Sequence, residues 1–265
     1  MFTFAENPVT WVGLFVLLVG STLWLCYELV RPLGRRERAT HTALLVLSVT
    51  LTLMVSQATW PALIRIVPVW TLVGLFLALA VRFVYVLVDI RRSGGRNASV
   101  YAAHAALFLA MCWHLSCLAV RRGLAAESSD ALADASAPGG TLWVLALVGL
   151  PFMVFLFGYS IGCLLHLVFA PAPTAGASGV PGASGASGEC GPECPCQADA
   201  SVGVRHARQG GVAVKALPLC PSLHPVGSTR YRLRELCDFA LTFSLFWASA
   251  PIMVPVLPWF GALTF

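Results

Sequence analysis

Between Tyr101 and Cys117 the chain runs YAAHAALFLAMCWHLSC, an apolar stretch that carries two histidines, a methionine and two cysteines. Imidazole and thioether are donors that suit copper or haem iron better than magnesium or calcium. On a helix, His104, Met111 and His114 fall within about 80° of one another and span about 15 Å of rise. His104 lies about 10 Å along that rise from Met111, too far for the two to hold one ion unaided. Met111 and His114 are three residues apart and can share one. The structural alternative is that His114 hydrogen-bonds across a helix interface while Met111 packs as adaptable filler. Cys112 points to a different face, about 100° from Met111.

Two further sets of residues could carry chemistry. Cys190, Cys194 and Cys196 form a C-x3-C-x-C cluster, with His206, Cys220 and His224 further along. The paired C-x2-C knuckles of a structural zinc site are absent from the sequence. Three thiolates on a soft loop could still capture Cu(I) or Zn(II), or could simply be reduced cysteines without a role. The second set is His41, His104, His166, Cys237 and Asp238, which fall at similar depth near one end of the apolar runs. His41 with His104 or His166 makes a bis-imidazole haem site conceivable, less favoured than copper or zinc. Ionisable groups inside a membrane are functional candidates, although a histidine near the headgroups reaches water cheaply. Arg82, seven residues before Asp89, could pair with it or with Glu28, extend to the headgroups, or line a polar path with Asp89 and Asp238. No phosphate-binding glycine loop, nucleophile elbow, HExxH or kinase signature occurs in the sequence, so no catalytic residue is assigned.

The elements that must position these groups follow from composition. At 58% hydrophobic and 11% charged residues, the chain departs far from the roughly 25% charged share of soluble domains. Apolar runs cover about 10–30, 41–58, 66–90, 100–120, 141–170 and 233–257, each near the roughly 20 residues a helix needs to cross a bilayer. The expected fold class is an all-α integral membrane protein with six transmembrane helices arranged as three hairpins. Pro151 should kink the overlong fifth span. The organisation is then 1–170 for spans one to five, a flexible Gly/Ala/Ser/Pro-rich loop over 171–229 holding the cysteine cluster, and 230–265 for the sixth span and tail.

Thirteen basic residues lie in the loops after spans one, three and five, against Arg65, Arg121 and Arg122 on the other side. Positive loops stay cytoplasmic, so the chain is expected in the plasma membrane with both termini outside. The start, MFTFAENPVT, lacks a basic n-region, so the first span should be retained. Arginine outnumbers lysine sixteen to one, a bias of base composition, and the net charge of +5 needs no nucleic-acid partner. The expected partner is the lipid bilayer.

The three ascending spans open alike: His41-Thr-Ala-Leu44, His104-Ala-Ala-Leu107 and Asp238-Phe-Ala-Leu241. Such an echo suggests repeated hairpins related by an axis along the membrane normal. Gly158 and Gly162 make a small-xxx-small pair that would admit a close helix neighbour. The segments RERATHTALLVLSVTLTLM, YAAHAALFLAMC and YRLRELCDFALTFSLFWASAPIM resemble an actinobacterial integral membrane protein family of unknown function, whose transmembrane helices bear histidines and methionines. That pattern would place a histidine where this chain has Asp238, and methionines where it has Leu44 or Leu45. The resemblance therefore implies topology more than a ligand set. Three readings stand at this point: a soft-metal binder using His41, His104, Met111, His114 and the loop cysteines, a small transporter or channel subunit with a polar path, or a structural membrane protein without chemistry.

Overall fold

The computed structural model describes residues 8–56, 59–93, 98–169 and 229–263. Eight helices follow in order: α1 Pro8–Leu29, α2 Arg35–Val55, α3 Thr59–Ile66, α4 Val69–Arg92, α5 Ala98–Glu127, α6 Ser129–Ser136, α7 Thr141–Phe169 and α8 Thr229–Met253, with a final 3-10 turn at Pro258–Leu263. Six of them, α1, α2, α4, α5, α7 and α8, are long and apolar enough to cross a membrane, and among the described residues there is no strand. The chain is an all-α polytopic membrane protein. The loop over 170–228, with Cys190, Cys194, Cys196, His206, Cys220 and His224, lies outside the described residues, as does Asn97.

Side-chain ties fix three antiparallel hairpins. The Trp11 indole donates to the Val55 carbonyl at 3.0 Å, and Thr22 meets Ser48 at 2.8 Å, joining α1 to α2. Cys112 reaches the Val73 carbonyl between α4 and α5. Ser160 donates to Thr242 at 3.0 Å between α7 and α8. Hydroxyls that meet no neighbour bond back to the carbonyl four residues earlier, as at Thr40, Thr50, Thr52 and Ser116. That local bond lets the threonine-rich α2 sit in apolar surroundings, where an unsatisfied hydroxyl is costly.

The hairpins close on α5 and α8, the two most enclosed helices. Phe83 and Phe76 of α4 stack on Phe108 of α5, while Met111, Leu115, Leu241 and Leu245 are fully buried between the helices. Val81 and Tyr85 on α4, and Val154 and Phe157 on α7, are exposed. Such apolar outer faces suit a bilayer and would be a liability in water.

Several element boundaries differ from the hydropathy runs for local reasons. The third run divides at Val67–Pro68, where Pro68 caps α4. α2 starts at Arg35, taking Arg36 and Glu37 into its first turn, with the acidic side chain favoured at the helix N-terminus. α5 continues past Arg121 and Arg122 to Glu127, and Ser128 caps α6 by accepting from the Ala131 amide. Gly139, at φ +85°, and Gly140, where a Cβ would lie 2.4 Å from the Ala135 carbonyl oxygen, make the tight turn into α7. α7 runs as helix through Pro151, and α8 ends two residues after Pro251.

Arg82 and Asp89 tie α4 to α2. The Arg82 guanidinium donates to the Ala39 carbonyl at 3.1 Å, and Asp89 pairs with Arg36 at 2.9 Å, both exposed. Exposed pairs are worth at most about 1 kcal/mol. Arg36→Ala should accordingly cost less than about 1 kcal/mol in denaturant unfolding, and less still at high salt.

Candidate functional site

α5 and α8 run parallel, side by side, and two polar contacts pin them. At the arginine-rich end His104 Nε2 stands 3.9 Å from Asp238 Oδ1. Toward the opposite end His114 Nδ1 lies 2.8 Å from Ser249 Oγ. The contacts are ten residues apart on α5 and eleven on α8, about 15 and 16 Å of rise, as parallel helices in near register require. On α8, Tyr231, Asp238, Thr242 and Ser249 fall within about 40° of one face. That face also meets α7, where Thr242 receives Ser160 and the Tyr231 hydroxyl lies 3.3 Å from His166 Nδ1. α8 thus presents a column of polar side chains along one face.

The His104–Asp238 contact is the most demanding of these. His104 is 3% exposed, its ring 5.5 Å from that of Phe83, and neither ring nitrogen has a hydrogen-bond partner. Asp238 is buried as well. At 3.9 Å the groups are about 1 Å farther apart than in a typical hydrogen bond. A small side-chain movement would bring them into hydrogen-bond range.

The other inner-end histidines go elsewhere. His41, on α2, is half-buried with Nδ1 on its own Glu37 carbonyl, and it lines a cleft of about 420 Å³ at the arginine-rich end. Arg31, Arg230, Arg234, Glu28, Glu37 and Trp24 share that cleft. His41, His104 and His166 therefore occupy three separate environments, and of the inner-end set only His104 and Asp238 meet. Glu28 is not a partner of Arg82: it is 5% exposed, faces the cleft, and its Oε1 has no hydrogen-bond partner.

Of the stripe on α5, Met111 is fully buried in the core cluster. His114, 1% exposed, takes the cross-helix bond to Ser249; its Nε2 is unpartnered, and it lines a cavity of about 60 Å³ together with Ser244 and Arg121. Among the described residues no three His, Cys, Asp or Glu side chains are grouped to hold a metal ion. The glycines that matter for packing are also different from those expected. A Cβ on Gly158 or Gly162 would meet nothing within 4 Å, whereas one on Gly149 would fall 1.9 Å from the Trp113 ring. Compared with known protein families, with characterised proteins and with solved structures, the chain matches none.

Proposed function

We propose that this is a small transporter of the plasma membrane whose working centre is the buried His104–Asp238 pair, a site that takes up and releases a proton. The observation that carries the reading is the pair itself: two ionisable side chains from two adjacent helices, buried and facing each other, with both imidazole nitrogens free of hydrogen bonds. Ionisable groups in a bilayer are expensive, and an apolar pair of similar size would hold two helices together at lower cost. Function is the reason to keep them. In this reading the arginine-rich end faces the cytoplasm with both termini outside, following the charge asymmetry of the loops. The resemblance to the actinobacterial family supports the hairpin topology of the proposal and no more.

The polar path envisaged along Arg82, Asp89 and Asp238 has a different membership here. Arg82 and Asp89 serve the α2–α4 junction, and the column on α8 takes their place. For a soft-metal site at His104 the loop cysteines, assigned to the same side and outside the described residues, are the candidate further donors.

A pH jump across the protein on a solid-supported membrane tests the proposal without a known solute, because proton binding in the membrane displaces charge. The wild type should give a transient that Asp238→Asn and His104→Gln each reduce at least about tenfold, with helicity retained by circular dichroism. Equal transients from the wild type and both variants would sink it.

A further inference from the structure

The cleft at the arginine-rich end holds unpaired charge of both signs. Arg31, Arg230 and Arg234 share it with Glu28 and Glu37, yet among the described residues no ion pair links these arginines to these glutamates. Arg31 instead bonds the Tyr27 hydroxyl and lies over the Tyr27 ring at 4.5 Å. Glu28 has one carboxylate oxygen buried and unpartnered, an unfavourable state unless something supplies a donor. Guanidinium groups are matched by phosphate oxygens, and a buried carboxylate by an ammonium. One ligand with both groups would satisfy the cleft.

An apolar groove lies next to the cleft, on the same residue Trp24. Trp24 forms part of its wall and part of a second groove, about 260 Å³, that runs between α1 and α8 along Leu17, Gly20, Leu233 and Leu236. A Cβ on Gly20 would meet nothing within 4 Å, so the groove is open at that point. A polar cleft beside an apolar groove at the end of a membrane helix has the arrangement of a phospholipid site, headgroup in one and acyl chain in the other.

We infer that this cleft and groove form a binding site for a phospholipid with a phosphate and a primary ammonium in its headgroup, a phosphatidylethanolamine, in the leaflet at the arginine-rich end. The arginines take the phosphate, Glu28 takes an ammonium N–H, and the chain lies over Gly20. A choline headgroup has no N–H to give Glu28, and a glycerol headgroup has no cation. The inference does not depend on proton transport.

Native mass spectrometry of the full chain, with phosphatidylethanolamine, phosphatidylcholine and phosphatidylglycerol of identical acyl chains, reads this directly. The wild type should hold the ethanolamine lipid at least about tenfold tighter than the other two. Glu28→Gln should bring the ethanolamine and choline lipids level, and Arg234→Gln should weaken all three lipids, since each carries the phosphate. Gly20→Leu, which has room to fold, should weaken all three by filling the groove. The headgroup comparison on the wild type needs no variant, and equal retention of the three lipids overturns the inference. Free phosphoethanolamine binding as tightly as the lipid overturns it too, by making the apolar groove irrelevant.

Discussion

Gly149→Ala should destabilise the protein by about 2–4 kcal/mol, while Gly158→Ala on the same helix changes little. The added methyl would sit 1.9 Å from the Trp113 ring. That ring cannot swing aside freely: Trp113 is buried, stacks on Phe152 at 6.0 Å, and donates its indole N–H to the Leu145 carbonyl at 2.8 Å. Either α7 retreats from α5 or the indole gives up its bond, and both outcomes open the junction between these two helices. Overpacking typically costs about 1–3 kcal/mol, and the lost hydrogen bond adds about 1. At Gly158 the same methyl enters open space, and alanine's better helix propensity offsets any loss. Denaturant unfolding in mild detergent, followed by tryptophan fluorescence, separates the two; equal midpoints for the variants would mean that α5 and α7 are not held by this contact.

That contrast marks where sequence reading works and where it stops. Hydropathy runs located all six long helices, because a bilayer-length apolar run has few alternatives to helix. The shared openings set His41, His104 and Asp238 at equivalent depth without choosing among them, and of these His104 and Asp238 face each other on parallel helices. Carried ten residues further, the same alignment sets His114 opposite Ala248, one residue from the Ser249 it bonds. His41 shares the opening, yet its ring turns to its own Glu37 carbonyl and the cleft, a matter of helix rotation that an opening motif does not contain. The small-xxx-small spacing at Gly158 and Gly162 was visible, yet among the described residues no helix closely approaches either glycine, because spacing along a helix says nothing about which face a neighbour occupies. Gly149 depends on Trp113 of another helix, and no local pattern around it reports that. Glu28 at the end of α1 was a candidate partner for Arg82, and its burial in the cleft depends on how the helix ends assemble, which the local sequence does not report.

Replacing both members of the His104–Asp238 pair should cost less than replacing either one alone, the opposite of what independent residues would do. His104→Leu leaves the Asp238 carboxylate buried without its partner, which costs about 3–5 kcal/mol where a buried ion pair is broken. Asp238→Leu takes the facing carboxylate away from an imidazole whose two nitrogens already lack hydrogen bonds beside Phe83, at a smaller cost of about 1–3 kcal/mol. The double variant removes both penalties and adds apolar contact in a region already built from Phe83, Phe108 and Leu241, so its stability should return to the wild-type value or exceed it. A double-mutant cycle on unfolding midpoints gives the coupling, which should exceed about 1 kcal/mol. Additive single effects would mean that the 3.9 Å approach is incidental and that each group is satisfied on its own. The same double variant divides stability from activity: a well-folded protein that no longer displaces charge after a pH jump would show that the pair is kept at a cost to the bundle for the proton it binds, whereas one that keeps the wild-type transient would place the proton elsewhere.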